Sequence, residues 1–428
     1  MPERSLAVPV AAERPRVLLV APHNSYRIAP YLKAAQRIGV DMLIASPGRH
    51  SLVSEIAEGV HIDLACPDAA LQAMLAVAAA RPITGVVGSD DSTVELASRA
   101  ARALGLPHNP PLAAAYARRK DWARARLREA GLPVPRHRRI HLDAPLTRQI
   151  RGLHFPCVAK PLSLSASRGV IRANDLDELR AACLRIRPIL AELHDPEERS
   201  HVLVEEFVPG PELALEGMLE GGELKVLALF DKPDPLDGPF FEETYYVTPS
   251  RLPVPLQARI RERVAEACAA YGLREGPAHA EVRVHGGEAW LLELAARTIG
   301  GQCARLLRFG TGHGLEDIVL ARAIGRSLAL EAEAGAAGVL MIPIPQAGVL
   351  RRVEGVLAAQ KVPFIEEVEI SVREGYELVP LPEGASYLGF IFARAPTPEL
   401  AEQALRAAHA RLRVVVAPLI KVQAMSGK

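Results

Sequence analysis

The sequence is poor in lysine, in aromatic residues and in closely spaced cysteines. Only eight of its 51 basic residues are lysine, aromatic residues make up 4% of the chain, and the five cysteines show no CxxC spacing. Zinc sites and disulfide frameworks need cysteines at short, regular spacings, so both are excluded, and we expect reduced thiols as in a cytosolic protein. Because lysine is scarce, a lysine inside a motif stands out.

Features that indicate a membrane or a nucleic acid are also missing. The net charge is +1, whereas nucleic-acid-binding domains concentrate uncompensated basic charge. No run of about 18 uncharged apolar residues occurs, so a membrane span is not expected. The opening stretch, MPERSLAVPVAAERPRV, lacks the apolar core of a signal peptide. The sequence therefore predicts a cytoplasmic protein whose partners are neither membranes nor nucleic acids.

Residues 1–113 alternate short apolar runs with helical patterns. The runs RVLLVAP, VDMLIASP and ITGVVGSDD end in turn residues and predict a parallel βαβ sheet. The first run is followed by HNSYR, so the G-x-G-x-x-G dinucleotide fingerprint is absent. Later strand-like runs and a linker at 328–338 divide the rest into residues 114–335 and a small α+β module at 336–428. The predicted fold class is α/β.

The stretch FPCVAKPLSLSASRGV places Lys160 at the end of a strand, before a turn of small residues. Successive backbone N–H groups and hydroxyls in such a turn can surround phosphate oxygens, and a nearby ammonium neutralises them. The candidate cradle consists of Ser163, Ser165, Ser167 and Gly169. The alternative is an ordinary hairpin loop with a lysine that extends to solvent.

A second stretch, VLVEEFVPGPELALEG, places the acids Glu205 and Glu206 on an apolar strand and Glu212 after a Pro-Gly turn. Acids are depleted in strands unless they meet hydrogen-bond donors. An adenine amino group and a ribose diol are donors at a separation that this turn can span. The alternative is an exposed pair of charges on an edge strand.

A third stretch, HAEVRVHGGEAWLLELAARTIGG, reads as a hairpin with runs at 280–285 and 289–294. With a two-residue loop, Glu281 would face Leu292, and Glu281 and Glu293 would point to opposite sides. With a three-residue loop, Glu281 would lie opposite Glu293, about 5 Å away, and the two like charges would need a cation between them. Oxygen ligands alone suit Mg²⁺ better than zinc. The alternative is two unrelated surface acids.

Taken in order, these pieces form a succession: Lys120, Lys160 with its Ser/Gly loop, EEFVPGPE, Lys232 and HAEV…LLELAAR. This succession resembles the ATP-grasp superfamily over roughly residues 15–330. Within it, LELAARTIGG, PFFEETYYVTPSRLP and the tail from about 339 resemble the L-amino-acid ligases, which are dipeptide-forming carboxylate-amine ligases. The resemblance implies an N-terminal parallel-sheet domain, a lid subdomain at about 140–207, a central antiparallel sheet and a C-terminal module.

The resemblance also implies ATP as cofactor with Mg²⁺, or Mn²⁺ in its place, and it assigns residues. Lys120 and Lys160 would contact the phosphates, and the 163–169 loop would close over them. The metal ions would be held by Glu281 and Glu293, and Lys232 would approach the transferring phosphoryl group. The adenine and ribose side would be formed by Glu205, Glu206, Phe207, Val208 and Glu212.

The implied reaction joins a carboxylate to an amine, both free small molecules such as amino acids, through an acyl phosphate and with release of ADP. Arg297, with the N–H groups near Gly300 and Gly301, would stabilise the oxyanion, or Arg297 would pair with the substrate carboxylate. The candidates for contact with the substrate are Asp90, Asp91, Glu242, Glu243 and His279. A homodimer is compatible with the resemblance.

One position departs from the superfamily pattern, because Ala295 stands where a further metal ligand, an asparagine, is usual. The L-amino-acid ligases share this Glu-x-Ala-Ala-Arg form. Two alternatives stay open on the sequence: an ATP-grasp ligase or carboxylase for another acid, and a nucleotide-binding homologue without catalysis.

Overall fold

The structure, a computed structural model, describes residues 14–23, 25–48, 58–331 and 334–419. Most of the opening stretch MPERSLAVPVAAERPRV, from which no signal peptide is predicted, lies outside the described residues. Contacts divide the chain into two compact units. The first comprises the residues up to 108 together with 316–328, and the second comprises 109–315 together with the residues from 329.

The first unit contains a four-stranded parallel sheet in the order β3-β2-β1-β4. This confirms the parallel βαβ arrangement predicted from the apolar runs. Strand β1 is buried along its whole length, as expected of an inner strand of a parallel sheet. The elements are β1 (Arg16–Val20), α1 (Ile28–Ile38), β2 (Asp41–Ser46), β3 (Glu58–His61), α2 (Pro67–Ala80), β4 (Gly85–Gly88) and α3 (Val94–Ala103).

The second unit begins with two consecutive helices. Helix α4 (Pro111–Arg118) ends before Arg119, whose φ of −94° and ψ of 104° are extended, and α5 (Lys120–Glu129) starts after it. The guanidinium of Arg119 contacts Asp121, and the backbone N–H of Lys120 donates to the carbonyl of Leu162 at 2.9 Å. The break places Lys120 at the start of a helix, where it faces the Ser/Gly loop.

The predicted lid is a four-stranded antiparallel sheet in the order β5-β8-β6-β7. Strand β8, which carries Glu205 and Glu206, pairs on both sides, so these acids are not on an edge strand. The elements are β5 (His137–His141), α6 (Leu146–Gln149), β6 (Cys157–Pro161), β7 (Ile171–Ala173), α7 (Leu176–Leu190), α8 (Pro196–Ser200) and β8 (His201–Glu206).

The central sheet has eight strands in the order β13-β12-β9-β10-β11-β14-β18-β16. Its first half comprises β9 (Glu212–Glu220), β10 (Glu223–Lys232), β11 (Tyr245–Thr248), β12 (Gly276–His285) and β13 (Glu288–Ala295). Helix α9 (Val254–Tyr271) packs on this half and contributes Ile260 and Val264 to a core shared with Leu213 and Leu215. Short helical segments follow, with a 3₁₀ turn (Cys303–Leu306), α10 (Leu307–Thr311) and α11 (Leu315–Ala323).

The predicted C-terminal module adds three strands to the central sheet and also forms a separate three-stranded sheet. Strands β14 (Ala336–Ile342), β16 (Ile365–Ile370) and β18 (Gly389–Ala395) complete the eight strands, because β14 pairs with β11. The segment 316–328, which the sequence placed in the middle domain, belongs to the first unit. The remaining elements are β15 (Gly348–Glu354), α12 (Val356–Gln360), β17 (Glu377–Leu378), α13 (Pro398–His409) and β19 (Arg413–Ala417).

In the hairpin of β12 and β13, Glu281 pairs with Glu293 as predicted, but the loop is shorter than the one that the prediction assumed. The loop has two residues, Gly286 and Gly287, with φ of 61° and 78°, so the three-residue loop required by the sequence argument is wrong. Nevertheless Glu281 pairs with Glu293, because the register shifts after Val282 and Leu291 and leaves Leu292 as a β-bulge. The bulge carbonyl accepts a hydrogen bond from Arg124 Nη2 at 2.7 Å.

Within the described part of the chain, we find no helix whose length and apolar character would let it cross a membrane.

Candidate active site

Lys120 connects the Ser/Gly loop to the hairpin acid Glu293. Its ammonium donates to the carbonyl of Leu164 at 2.7 Å and lies 3.4 Å from Glu293 Oε2. The Lys120 side chain is only 12% exposed, so it is not part of a solvated helix face. The start of α5, the loop and β13 therefore meet at this lysine.

Lys160 and Glu205 form a buried ion pair, and Arg124 completes it. The Lys160 ammonium contacts Glu205 Oε1, and Arg124 Nε donates to Glu205 Oε2 at 2.9 Å. Burial works to raise the pKa of Glu205, but the adjacent Arg124 and Lys160 cations outweigh it and lower the pKa to about 2. Glu205 is therefore a charged group, and both of its oxygens have cationic partners. Its place on the adenine side stays a prediction.

The predicted phosphate cradle has the backbone of a compact turn. Ala166 and Ser167 have φ of 54° and 53°, and Gly169 has φ of 72°. A Cβ at Gly169 would lie 2.7 Å from Cγ of Pro161, so only glycine fits there. The N–H of Gly169 donates to the carbonyl of Pro382 at 2.9 Å, which gives one predicted phosphate donor a partner in the C-terminal region.

Lys232, at the end of β10, is buried among three carboxylates. Its ammonium lies 2.8 Å from Glu212 Oε1, 2.5 Å from Glu243 Oε1 and 3.3 Å from Glu281 Oε1, and its side chain is 2% exposed. Oxygen atoms of these three acids all lie within 4.8 Å of one another. We call Glu212, Glu243, Glu281 and Lys232 the acid cluster.

The crowding of carboxylates in the acid cluster changes their proton affinities. Burial, together with the neighbouring charge of Glu281, raises the pKa of Glu243 to about 7. Burial opposes the charge of Lys232, but the three acids dominate and hold the pKa of Lys232 well above its usual range. The donor set is made of carboxylate oxygens with excess negative charge, which fits a hard divalent cation such as Mg²⁺.

The segment predicted to meet adenine is held by Arg283, which the sequence did not single out. Arg283 Nη1 donates to the carbonyl of Val208 at 2.9 Å, and its Nε donates to Glu212 Oε2 at 2.9 Å. Its guanidinium also lies over the ring of Phe207, 4.8 Å from the centroid. The carbonyl of Val208 and both oxygens of Glu212 thus have protein partners. Glu206 accepts a hydrogen bond from the backbone N–H of His154 at 2.9 Å.

A fully buried acid, Glu216, supports the turn that follows β13. Its carboxylate lies 3.1 Å from His279 Nδ1 and accepts from the backbone N–H of Ile299 at 3.1 and 3.3 Å. His279 Nε2 lies 3.7 Å from Glu281 Oε1. Burial raises the pKa of Glu216, and the contacts with His279 and the Ile299 N–H oppose that rise. His279 is therefore part of a buried hydrogen-bonded chain.

The turn itself carries Arg297, Gly300 and Gly301. Arg297 is half-buried, and its Nη1 donates to the carbonyl of Thr298 at 3.1 Å. Gly301 has φ of 60°, and a Cβ there would lie 2.3 Å from Sδ of Met341. The left-handed backbone favours glycine at 301, and a larger residue there would also have to displace the Met341 side chain.

The remaining substrate candidates fall into two groups. Asp90 and Asp91 lie in the first unit, where Asp90 accepts from the hydroxyl of Ser25 at 3.1 Å. Glu242 lies beside the acid cluster in sequence, and burial raises its pKa. The structure brings Glu243 and His279 to the acid cluster, whereas the roles of Asp90, Asp91 and Glu242 stay predictions.

Three buried residues were missed at the sequence level although each has a pattern that could have indicated it. Arg124 follows Lys120 by four residues, so the two share one face of α5. Glu216 follows Glu212 by four residues on a strand, which places both on one face of β9. Arg283 follows Glu281 by two residues and shares its face of β12. Each pattern places the missed residue next to a predicted one.

Comparisons with known proteins agree with this geometry. Residues 153–305 match the ATP-grasp domain, residues 32–108 match the ATP-grasp N-terminal domain, and residues 340–417 match the L-amino acid ligase C-terminal domain 2. The solved structure of an L-amino acid ligase from Bacillus licheniformis superposes with a TM-score of 0.78 at 25% identity. That match covers 95% of this chain and 100% of the other.

Two curated relatives are similar over shorter segments. Alanine–anticapsin ligase of Bacillus subtilis is 24% identical over 246 residues, which cover 54% of this chain and 52% of the relative. A D-alanine–D-alanine ligase of Methylibium petroleiphilum is 28% identical over 278 residues, which cover 61% of this chain and 77% of the relative. The alignment thus spans about half the length of the first relative.

The parallel N-terminal sheet, the lid and the central antiparallel sheet, together with these matches, make the chain a member of the ATP-grasp superfamily. Within that superfamily it belongs with the carboxylate-amine ligases, and its C-terminal region is of the L-amino-acid-ligase type. Solved structures that share this fold hold ADP, in one of them as its magnesium salt.

Proposed function

We propose that the protein is an ADP-forming ligase that joins the carboxylate of an L-amino acid to a second amino acid or amine through an acyl phosphate. The observation that carries this proposal is the cross-strand pair of Glu281 and Glu293, each of which contacts a lysine of low exposure. Lys232 lies on the Glu281 side and Lys120 on the Glu293 side. The C-terminal region of L-amino-acid-ligase type favours amino acids over other acids.

In the first half-reaction, a substrate carboxylate oxygen attacks the γ-phosphorus of ATP, the bond to the β–γ bridging oxygen breaks, and ADP leaves. Lys120 and Lys160 contact the phosphates, and the 163–169 loop covers them. Glu281 and Glu293 are the proposed ligands of the magnesium ions, with Glu212 and Glu243 next to Glu281. The bound metal supplies charge neutralisation for in-line phosphoryl transfer.

In the second half-reaction, the amine nitrogen attacks the acyl carbon, the bond between that carbon and the phosphate oxygen breaks, and phosphate leaves. The nitrogen loses its proton, and an oxyanion develops on the former carboxyl group. Arg297 and the N–H groups near Gly300 and Gly301 stabilise that oxyanion. Glu243, held at the acid cluster, anchors the ammonium group of a substrate.

The test is an assay of ADP release against a panel of amino acids and of other carboxylates, with and without Mg²⁺. We expect ADP release that needs both Mg²⁺ and amino acids, with the amide product detected by mass spectrometry. ADP release only with other carboxylates would identify a different ATP-grasp ligase. ATP binding without turnover by the folded protein would contradict the proposal.

A further inference from the structure

Glu216 is a carboxylate that burial makes costly and that the reaction steps above do not use. It lies in the middle of β9 with 0% exposure, and its partners are the His279 ring and the backbone N–H of Ile299. An ionisable group in such a place destabilises the fold unless its hydrogen bonds compensate. The hydrogen bond from the Ile299 N–H indicates a role for Glu216, because Ile299 lies outside any strand.

Ile299 lies between the residues proposed to meet the reacting carboxyl group, two residues after Arg297 and directly before Gly300. This segment follows the end of β13 at Ala295 and has neither helix nor strand. A strand ladder therefore does not set its path, and contacts with side chains matter more. The Glu216 carboxylate on β9 is one such contact, because it accepts from the Ile299 N–H.

The second contact of Glu216 leads to the acid cluster. His279 is the cross-strand partner of Glu216, its Nδ1 faces the Glu216 carboxylate, and its Nε2 lies 3.7 Å from Glu281. One carboxylate is thus connected through a single imidazole to a proposed metal ligand and through a single N–H to the Arg297 turn. The two halves of the proposed site are joined at Glu216.

We infer that Glu216 is a positioning residue, which fixes the turn of Arg297, Gly300 and Gly301 relative to Glu281. The carboxyl group of the substrate can then contact the turn and approach the Glu281 site at the same time. This inference rests on the proposed ligase function. It makes Glu216 dispensable for ATP binding, because Lys120 and Lys160 have other partners. It makes Glu216 necessary for the steps that involve the substrate carboxyl group.

The test compares Glu216→Leu with Glu216→Gln, whose amide oxygen still accepts from the Ile299 N–H. For Glu216→Leu we expect kcat for amide formation to fall about 100-fold, the size of effect known for a misplaced oxyanion donor. We expect the Kd for ADP to stay within about threefold, and Glu216→Gln to recover most of the activity. Glu198→Leu is the matched control, because Glu198 is also a buried acid and pairs with Arg118 away from this turn.

A second readout does not depend on catalysis. Hydrogen exchange of a peptide that covers residues 296–302 should become faster in Glu216→Leu and stay slow in Glu198→Leu. Unchanged exchange there, or unchanged kcat in folded Glu216→Leu, would overturn the inference, and so would an equal loss of ADP affinity and turnover. If the wild-type protein releases no ADP with any amino acid, the proposed function fails, and the exchange experiment still decides whether Glu216 holds the turn.

Discussion

Glu205 and Lys232 are both buried charges of the second unit, but their surroundings are opposite. Glu205 is one acid between two cations, Arg124 and Lys160, whereas Lys232 is one cation among three acids. The pKa of Glu205 falls to about 2, and the pKa of Glu243 beside Lys232 rises to about 7. Lys160 and Lys232 are both proposed to meet phosphate groups of ATP. The opposite pKa shifts of Glu205 and Glu243 therefore follow from their neighbouring charges.

The contrast separates a part of the site with more cations than acids from a part with more acids than cations. Around Glu205 two cations share one carboxylate, and these contacts stabilise the arrangement of α5, β6 and β8. In the acid cluster, three carboxylates meet the Lys232 ammonium and, at Glu212, the Arg283 guanidinium, and the remaining negative charge is what a divalent cation would compensate. Residues of the first kind should contribute mainly to stability, and those of the second kind mainly to activity.

The largest expected effect is on activity and falls on the acid cluster. Glu281→Gln removes a proposed metal ligand, and we expect ADP formation to fall at least about 1000-fold, or about 4 kcal/mol. The free energy of unfolding should change far less than at Glu205, because the repulsion between Glu281 and Glu243 is also removed. The ADP assay and urea unfolding measure the two quantities, and Glu288→Gln, at the exposed end of the same hairpin, is the control. Normal turnover in Glu281→Gln would refute the metal assignment.

The next largest expected effect is on the free energy of unfolding, and it concerns the ion pairs of Glu205. Glu205→Gln leaves the buried cations Arg124 and Lys160 without their carboxylate, so we expect the free energy of unfolding to fall by about 4 kcal/mol. Urea unfolding measures the change. Glu206→Gln, the neighbouring and partly exposed acid on β8, should change stability by less than about 1 kcal/mol. Equal losses in the two variants would remove the distinction between the regions.

A third variant tests a residue outside both clusters. Arg297→Ala should lower amide formation by about 3 kcal/mol, the usual size for a lost oxyanion donor. The dependence of ATP binding on Mg²⁺ should stay as in the wild type, because the acid cluster is intact. Calorimetric titration with ADP and Mg²⁺, together with product formation, separates the two effects. A variant that ligates normally would place Arg297 outside the reaction centre.

The smallest effect is a dependence of stability on pH. Glu205 has a folded-state pKa of about 2, below its ordinary value of 4.5, so its contribution is present above pH 4.5 and is lost as the pH falls towards 2. The linkage relation gives a loss of about 2 kcal/mol between neutral pH and about pH 3. Urea unfolding at several pH values measures it. The slope of stability against pH in this window should be shallower in Glu205→Gln, and an unchanged slope would contradict the pairing of Glu205.

The order of chemical groups along the chain was readable from the sequence because each group sits in a local pattern. Lys160 precedes a run of small residues, Glu205 and Glu206 interrupt an apolar strand, and two glycines mark the hairpin. The parallel sheet of the first unit was predicted from apolar runs alone. The break between α4 and α5 at Arg119 is different, because it depends on contacts with Asp121 and with a loop some forty residues away.

The partners of each charge were decided only in the tertiary structure. A two-residue Gly-Gly loop by itself would put Glu281 and Glu293 on opposite faces, and the bulge at Leu292 restores their pairing while its carbonyl accepts from Arg124. Glu216 gave no sign in the sequence of its bond to Ile299, which lies 83 positions along the chain. The amino-acid sequence by itself determined which groups are available and which strand or loop carries each, because those follow from short-range patterns. Which acid meets which cation depends on contacts between distant segments, and only the packed fold specifies those.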